Sequence, residues 1–334
     1  MREPSFWWRE AGPAAGLLAP LGAIYGAVAA RRMARKGARA GVPVLCVGNF
    51  TLGGAGKTPM VIALARMLEA AGAHPFCLTR GYGGSERGPR LVDPQTDGAP
   101  EVGDEALLLA HVAPTIVARD RVAGARLAQQ SGADVVVMDD GLQNGALEKD
   151  FTLAVIDGRR GIGNARMFPA GPLRAPLEAQ LARTNALLVV GEDTSGARDV
   201  LAAAADRGLP VFHGRLVPDQ AAIAALKGRK VLAFAGIGDP AKFFISVADA
   251  GLDLAEQVAF PDHHRFTAEE AAGLLMQAEH GGLELVTTEK DRARMVGEPS
   301  LAALATRTHV LPVRMEVIEA DTLRGVLTRA LGRD

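Results

Sequence analysis

The residues best suited to chemistry form a glycine-rich loop that ends in lysine and threonine, Thr51–Leu52–Gly53–Gly54–Ala55–Gly56–Lys57–Thr58. The loop follows an apolar run typical of a buried strand and precedes a helical pattern, which is the setting that a phosphate-binding loop requires. Its glycines allow backbone N–H groups and the positive helix start to face phosphates. Lys57 would bridge the phosphates, and the Thr58 hydroxyl would ligate Mg²⁺. Although Thr51 stands where the usual pattern has glycine, the loop predicts nucleotide binding rather than an incidental glycine-rich turn.

A second chemical signal is a pair of carboxylates at the end of a buried strand. Asp139 and Asp140 directly follow the apolar run 135–138. Open α/β sheets bind ligands at the carboxyl edge of their strands, so these aspartates should lie near the glycine-rich loop. We expect Asp139 to ligate Mg²⁺ directly or through water, with Asp140 close by. The alternative is a pair of aspartates that cap a helix or stabilise a turn.

The elements that must position these groups alternate between short β-rich runs and alanine-rich helical stretches. The apolar runs are continuous rather than alternating, which indicates strands buried on both faces of a parallel sheet. This alternation predicts a doubly wound α/β domain of the P-loop type. Strands are predicted at 44–48, 75–79, 114–118, 134–139, 152–156, 186–190 and 210–213, and helices at 58–71, 104–112, 121–131 and 196–207.

The strand–helix pattern restarts at smaller scale after a polar stretch. The second unit is predicted to contain strands at 230–235, 255–259, 283–288 and 308–313, with helices at about 240–250, 267–280 and 320–331. The sequence therefore predicts four segments. They are an N-terminal membrane-associated helical segment (1–40), a nucleotide-binding α/β domain (41–214), a linker (215–229) and a smaller C-terminal α/β domain (230–334).

The N-terminal segment has the character of a membrane-associated helix. Residues 11–30 carry no charge, Phe6, Trp7 and Trp8 precede them, and a basic cluster follows at Arg31, Arg32, Arg35, Lys36 and Arg39. The tryptophans fit an interfacial belt, and the basic cluster fits attraction to anionic lipid. A cleaved secretory signal would carry its positive charge before the apolar run. The alternative is an ordinary helix packed on the domain, and the sequence does not separate a helix that spans a bilayer from one that lies on it.

Composition excludes several classes of protein. The chain has 334 residues, 48% of them hydrophobic, and 37 basic residues balance 38 acidic ones, giving a net charge of −1. This composition argues against intrinsic disorder and against general nucleic-acid binding. Its two cysteines, Cys46 and Cys77, lie in apolar runs and are expected to be buried reduced thiols. No obligate protein partner is evident from the sequence.

A phosphate loop predicts nucleotide binding without defining the reaction. A GTPase would carry an Asn-Lys-x-Asp motif, whereas the segment 287–291 reads Thr-Thr-Glu-Lys-Asp. A second lobe suits a kinase whose acceptor lies between lobes, which needs a base and cations near the transferred phosphate. The candidates are Asp104 and Glu105 at a predicted helix start, the loop Asp262–His263–His264, and Arg80, Arg119, Arg121 and Arg174. Taken singly, Asp104 could cap a helix and His263 or His264 could be a surface residue.

Together these motifs closely resemble the tetraacyldisaccharide 4′-kinase family, the lipid A kinases of Gram-negative bacteria, over nearly the whole chain. The order and spacing of the motifs are more specific than any one of them. Besides the N-terminal segment, the motifs are Val47–Gly48–Asn49, Gly53–Gly54–Ala55–Gly56–Lys57–Thr58–Pro59, Arg80–Gly81–Tyr82–Gly83, Gly103–Asp104–Glu105, Arg119–Asp120–Arg121, Asp139–Asp140–Gly141–Leu142–Gln143, Asp157–Gly158, Gly163–Asn164, Pro169–Ala170–Gly171–Pro172–Leu173–Arg174, Phe234–Ala235–Gly236–Ile237–Gly238, Phe243–Phe244, Phe260–Pro261–Asp262–His263–His264 and Thr287–Thr288–Glu289–Lys290–Asp291.

The resemblance implies a reaction and roles for the candidate residues. Family members transfer the γ-phosphate of ATP to the 4′-hydroxyl of tetraacyldisaccharide 1-phosphate, a lipid A precursor, and form lipid IVA. They work at the cytoplasmic face of the inner membrane, with the N-terminal helix touching the bilayer. By this resemblance, Asp104 acts on the acceptor hydroxyl and His263 orients and tunes it. Arg119 and Arg174 would contact phosphates, and Glu105 would lie near the metal.

Two positions depart from the family pattern. Asn144 stands where the family commonly has histidine, and Ala175 stands where it commonly has glutamate. If that glutamate helps to position metal or nucleotide, Asp140 or Glu105 must do so here. The sequence also allows two other functions: a P-loop kinase for a soluble substrate, and a nucleotide-dependent regulator or switch that hydrolyses slowly.

Overall fold

The computed structural model describes residues 3–192 and 196–332. The described strands are β1 (Val44–Gly48), β2 (Pro75–Thr79), β3 (Arg90–Leu91), β4 (Thr115–Val117), β5 (Val135–Asp139), β6 (Phe151–Asp157), β7 (Ala186–Val190), β8 (Val211–Pro218), β9 (Lys230–Ala235), β10 (Asp253–Ala259), β11 (Glu284–Thr287), β12 (Thr308–Val310) and β13 (Val313–Val317). The described α-helices are α1 (Pro13–Met33), α2 (Lys57–Ala70), α3 (Ala99–Val102), α4 (Asp104–Ala110), α5 (Arg121–Gln130), α6 (Leu177–Leu181), α7 (Arg198–Ala205), α8 (Gln220–Leu226), α9 (Pro240–Asp249), α10 (Ala268–Gly281), α11 (Glu289–Met295), α12 (Ala302–Arg307) and α13 (Ala320–Ala330). Short 3₁₀ helices cover Ser5–Trp8 and Pro299–Leu301.

A nine-stranded sheet with the order β13-β8-β7-β6-β1-β5-β2-β4-β3 forms the core of the larger lobe. Its pairs are parallel except for β13 with β8 and β3 with β4, which are antiparallel at the two edges. Strand β1 lies beside β5, in a register that pairs Val47 with Asp139. The end of β1 and the acidic end of β5 therefore meet at one sheet edge. This arrangement confirms the predicted doubly wound α/β fold class.

Alternate residues of the central strands enter separate hydrophobic clusters. Leu45 and Val47 of β1 pack in the cluster that includes α2 and α13, whereas Val44 and Cys46 pack with α5. This burial on both faces explains why the strands appear in the sequence as continuous apolar runs. Cys46 and Cys77 are both buried free thiols, and burial raises the pKa of each.

The smaller lobe contains a four-stranded parallel sheet with the order β10-β9-β11-β12. Leu232 and Phe234 of β9 pack with α10 and α12, and Val231 and Ala233 pack with α9. The carboxyl ends of β9 and β11 lead into the loops that face the larger lobe. This lobe therefore has its own layered core.

The boundary between the lobes differs from the predicted one. Strand β8 extends to Pro218 and helix α8 occupies 220–226, so the predicted linker 215–229 is mostly regular structure. The predicted strand 308–313 is two strands, because β13 leaves the small lobe and pairs with β8 of the large sheet. Helix α13 then places Leu323 and Leu327 in the larger core. The chain thus returns to the first lobe, where β13 covers a sheet edge that would otherwise expose unpaired backbone groups.

Helix α1 rests on the larger lobe by a narrow stripe of small residues. Gly22 and Gly26 are buried against the loop 167–170, and Ala15 near the start of the helix and Met33 at its end are also buried. The remaining surface exposes five large apolar side chains, at Leu17, Leu21, Ile24, Tyr25 and Val28. Among the described residues, α1 is the one helix that is both long enough and apolar enough to cross a membrane. Some core helices of soluble proteins and some signal sequences share this property.

Trp7 does not lie in an interfacial belt, contrary to the prediction from sequence. Its side chain is only 5% exposed, its indole N–H donates to the carbonyl of Pro169 at 3.0 Å, and its ring contacts Phe168 edge-on. The Trp8 ring instead packs under the guanidinium of Arg160, 4.8 Å from its centroid. The tryptophans therefore anchor the N-terminus to the domain, because both find partners within the protein.

Candidate functional site

The glycine-rich loop joins the end of β1 to the start of α2. Gly53 and Gly56 have φ of +102° and +88°, a conformation that glycine adopts without the steric cost of a Cβ. Lys57 begins α2, with its Nζ 3.5 Å from the Gly53 carbonyl oxygen and 3.9 Å from Oδ1 of Asp140. Burial lowers the pKa of Lys57, although the Asp140 charge opposes this effect. The ammonium group is thus held beside a loop of backbone amides at a helix start.

Thr58 and Asp139 lie together beneath this loop. The Thr58 hydroxyl donates to Oδ2 of Asp139 at 3.3 Å, whereas the buried Oδ1 has no hydrogen-bond partner among the described residues. Burial, and then the charges of Glu105 and Asp140, raise the pKa of Asp139. A buried carboxylate oxygen without a donor, beside a hydroxyl, fits a divalent cation that would replace the missing donor. No described group of three or more His, Cys, Asp or Glu residues could hold a metal, so other ligands must come from nucleotide or water.

Asp140 is engaged by protein cations. Arg174 Nη1 lies 2.7 and 2.9 Å from its two carboxylate oxygens, and Arg174 Nε donates to the Thr51 carbonyl oxygen at 2.9 Å. Burial alone would raise the pKa of Asp140, but the charges of Arg174 and Lys57 hold it below its usual range. Arg174 therefore links Asp140 to Thr51 at the start of the loop. The contact between Arg174 and phosphate stays a prediction.

Asp104 and His263 are brought together from different lobes. Asp104 is the first residue of α4, and its Oδ1 accepts from the N–H of Glu105 at 2.9 Å. His263 Nδ1 lies 3.6 Å from Oδ2 of Asp104, and its ring lies against Tyr82 with centroids 4.6 Å apart. Arg294 Nε donates to the same Oδ2 at 2.8 Å. Burial would raise the pKa of Asp104, but His263 and Arg294 hold it well below its usual range.

Glu105 forms an ion pair that also joins the lobes. Its Oε1 lies 2.6 Å from Nζ of Lys290, near the start of α11. Burial alone would lower the pKa of Lys290, but the charges of Glu105 and Asp104 raise it. Glu105, one of the predicted metal ligands, is thus paired with a lysine of the protein. Two other predicted ligands, Thr58 and Asp139, contact each other.

One large cavity of about 1650 Å³ connects these groups. Its lining includes the whole run from Leu52 to Thr58, with Glu105, Arg119, Asp139, Asp140, Arg174, His263 and Lys290. It continues along α1 to Arg32, Arg35 and Lys36. Asp104 lines a neighbouring cavity of about 220 Å³, and Tyr82 and His263 line both. His263 therefore lies between Asp104 and the space in front of the loop, and the exposed Arg119 faces that space.

The two departures from the family pattern have local structural roles. Asn144 Oδ1 accepts from the N–H groups of Ala146 and Leu147 and so stabilises the turn after β5. Ala175 is buried, and its carbonyl oxygen accepts from Gln180 Nε2 at 2.7 Å.

Sequence reasoning did not assign roles to Lys290, Arg294 or Tyr82. For Lys290 and Arg294, the sequence feature that could have indicated a role is the charged helix α11, which begins directly after the buried strand β11. Ligands bind at this edge of a parallel sheet. Asp291 and Arg294 are also three residues apart, which places them on one face of that helix. A pairing with Asp104 depends on how two lobes meet, and no local pattern shows that.

A loop of this form between strand and helix, with an acidic strand end beside it, defines the P-loop class of nucleotide-binding proteins. Comparison with known proteins identifies the family within this class. The family model described as "Tetraacyldisaccharide-1-P 4'-kinase" matches residues 14–332. The chain belongs to this family, which confirms the resemblance seen in the sequence.

Curated relatives and a solved structure agree with the family match. The chain is 59% identical to "Tetraacyldisaccharide 4'-kinase" of Methylobacterium sp. (strain 4-46), covering 96% of this chain and 95% of the relative. It is 54% identical to the protein of the same name from Rhodopseudomonas palustris (strain BisB5), covering 100% and 98%. The crystal structure of LpxK from Aquifex aeolicus in complex with ATP is similar, with a TM-score of 0.73 and 25% identity over 95% of this chain and 99% of that chain.

Proposed function

We propose that this protein is an ATP-dependent kinase that transfers the γ-phosphate of ATP to the 4′-hydroxyl of tetraacyldisaccharide 1-phosphate, giving lipid IVA. The observation that carries the proposal is a single cavity running from the P-loop, past His263, to the exposed apolar and basic surface of α1. Such a cavity can hold a nucleotide at one end and an amphipathic glycolipid at the other. Curated relatives that carry the name of this activity support the choice of acceptor.

The nucleotide half of the site rests on the P-loop. The similar structure from Aquifex aeolicus is a complex with ATP, which supports ATP as the phosphate donor. Lys57 would lie against the phosphates, and Arg119, which lines the same cavity, would also contact them. Thr58 and Asp139 would hold Mg²⁺, which when bound neutralises phosphate charge. We assign Asp140 to holding Lys57 and Arg174 in place, and Glu105 to holding Lys290.

The acceptor half rests on Asp104 and His263. An ionised carboxylate suits a base that orients a hydroxyl and takes its proton as the bond to phosphorus forms. His263 Nδ1 faces Asp104, and its Nε2 lies 3.7 Å from Asp262 Oδ2, so two carboxylates can orient the imidazole. The proposal is that the acceptor proton leaves through this pair, which acts as one unit.

The proposed membrane contact rests on α1. Its exposed apolar side chains would enter the outer part of a bilayer, and its basic end would contact anionic headgroups. We assign the protein to the cytoplasmic face of the bacterial inner membrane, because ATP is available there and the basic cluster follows the apolar run.

A direct assay tests the function. The full chain is incubated with γ-labelled ATP, Mg²⁺ and tetraacyldisaccharide 1-phosphate, and the lipid fraction is examined for label. We expect a labelled bis-phosphorylated glycolipid, and none when the 4′-hydroxyl is blocked. Free labelled phosphate without labelled lipid would favour a switch, and label on a soluble sugar alone would favour a kinase for a soluble substrate.

A double-mutant cycle tests the acceptor pair. Asp104→Ala should lower kcat by roughly 10²–10⁴-fold, the usual range for a general base. His263→Ala should add little to this loss if the two residues act as one unit. The measurement is initial rate at saturating ATP for both single variants and the double variant. Multiplicative losses would show that the two side chains act independently.

A further inference from the structure

Arg294 is a buried arginine that links the two lobes at the acceptor side of the site. It is 9% exposed, and its Asp104 partner is 3% exposed. Its Nε and Nη2 both contact Oδ2 of Asp104, the former at 2.8 Å. A guanidinium that presents two donors to one carboxylate oxygen restricts the orientation of that carboxylate more than a point charge would.

The other side of the same guanidinium is fixed within the small lobe. Arg294 Nη1 donates to the Gly236 carbonyl oxygen at 2.6 Å and to Asp291 Oδ1 at 2.8 Å. Asp291 is fully buried, and its carboxylate also accepts from the Gly236 N–H and the Thr288 hydroxyl. The arginine is therefore held by partners that are themselves fixed, which makes it a rigid support rather than a mobile side chain.

The Gly236 carbonyl connects this network to His263. The His263 N–H donates to that oxygen at 3.0 Å, so Arg294 and His263 share one acceptor. His263 also has φ of +55°, a conformation that a non-glycine residue keeps only where its surroundings hold it. The Arg294 guanidinium thus contacts Asp104 directly, and it donates to the same Gly236 carbonyl oxygen as the backbone N–H of His263, the proposed partner of Asp104.

We infer that Arg294 is a positioning residue for phosphoryl transfer, which fixes Asp104 and the His263 loop in one geometry when the lobes meet. This inference rests on the proposed function, because it assigns Arg294 an effect on the proposed acceptor pair. Neither the P-loop nor Thr58 and Asp139 contacts Arg294 in the described residues, so nucleotide binding should not depend on it. A displacement of a catalytic group by about 1 Å can cost roughly 10²-fold in rate.

The test compares Arg294→Met, Arg294→Lys, Asp104→Asn and the double variant Asp104→Asn/Arg294→Met with the wild-type chain. For Arg294→Met we expect kcat to fall by roughly 10²-fold while the KM for ATP changes less than about twofold. Arg294→Lys should recover part of the loss, because it keeps the charge and loses the paired donors. Arg229→Met is the matched control, since it removes an exposed arginine of the same lobe whose partner is Glu284.

Non-additivity distinguishes positioning from general support of the fold. In the Asp104→Asn background, removal of Arg294 should cost little further kcat, because the group on which it acts is already absent. A kcat for Arg294→Met within twofold of wild type would overturn the inference. An equal loss of kcat in both backgrounds would also overturn it.

A stability measurement separates this inference from the proposed function. Melting temperatures of the same variants should show that Asp104 and Arg294 are coupled, because either single change leaves a buried charge without its partner. If the wild-type chain labels no glycolipid, the proposed function fails, and the coupling then tests the part of the inference that does not need the reaction, namely that Arg294 fixes Asp104 where the lobes meet. Additive melting shifts would then overturn it.

Discussion

At the scale of single residues, Lys57 places an ammonium group in a largely buried environment, where the loss of hydration disfavours the charged form. Burial lowers its pKa, while Asp140 and the Gly53 carbonyl keep its ammonium group near the loop. A buried cation of this kind is worth most to a ligand that brings compensating negative charge. We therefore expect Lys57 to bind a phosphate group rather than to serve only in a structural ion pair.

Lys57→Met should reduce phosphoryl transfer at least roughly 10²-fold, as expected when one preorganised donor to the reacting phosphate is removed. The change keeps the apolar stem and removes the charge. Rates of label transfer from ATP to lipid provide the measurement, and Lys227→Met in the turn after α8 serves as control. Transfer at the wild-type rate in Lys57→Met would show that the loop does not act on the transferred phosphate.

The parts of the site whose positions follow from the sequence are those in which the residues lie in one stretch of chain. The P-loop and the Asp139 strand end could be predicted, because their residues are contiguous and neighbouring strands place them together. The ion pairs of Glu105 with Lys290 and of Asp140 with Arg174 could not, because each depends on distant segments meeting. The metal-ligand role predicted for Glu105 stays a prediction, and the structure adds its ion pair with Lys290.

At the scale of elements, continuous apolar runs predicted the parallel strands well, since burial on both faces leaves no alternation to misread. The strand β13 was not predicted, because it is defined by a pairing between distant segments rather than by a local pattern. Its five residues Val313–Val317 follow closely on β12, and only the tertiary structure shows that they pair with β8. An antiparallel edge pairing between segments about a hundred residues apart has no local signature.

Helix α1 offers an element-scale test, because its two docking glycines have no room for a side chain. A Cβ on Gly22 would lie 2.8 Å from the backbone carbonyl oxygen of Met167, whereas Gly16 has nothing within 4 Å. We expect Gly22→Leu to lift the helix from the domain and lower stability by about 1–3 kcal/mol, the usual cost of overpacking.

Gly16→Leu is the matched control, and it should be neutral or slightly stabilising because leucine favours a helix over glycine. Thermal melting of both variants in detergent provides the measurement. Equal melting temperatures for the two variants would show that the buried stripe does not hold α1 to the lobe.

At the scale of the whole molecule, the two lobes meet through charged groups placed around the cleft. Arg159 and Arg160 contact Asp239, Lys242 contacts Asp157, and Arg265 donates to the Gly83 carbonyl oxygen. These contacts link the loops of the large lobe to the starts of small-lobe helices and to the His263 loop. Because several of them border the nucleotide cavity, the relative position of the lobes should depend on ionisation of the carboxylates.

Asp157 makes this dependence measurable. Burial would raise its pKa, but Lys242 and the N–H groups of Arg159 and Arg160 lower it below its usual value. A carboxyl group whose pKa is lower in the folded state contributes stability that is complete above its unfolded pKa of about 3.9. That contribution is lost as pH falls through the lower folded pKa.

Asp157→Asn should therefore melt below wild type at pH 7, by about 1–2 °C for each 1 kcal/mol lost. The gap should begin to narrow below about pH 4, where the unfolded chain takes up the proton, and should close below the folded pKa of Asp157, where the folded wild-type chain loses the same charge. The amide keeps an oxygen for the backbone donors, so the change isolates the charge. Lys242→Met should show the same loss at pH 7 and add little to Asp157→Asn, whereas Asp253→Asn at the exposed start of β10 should leave the profile unchanged. A gap that stays constant from pH 7 to pH 3 would mean that the charge of Asp157 does not hold the lobes together.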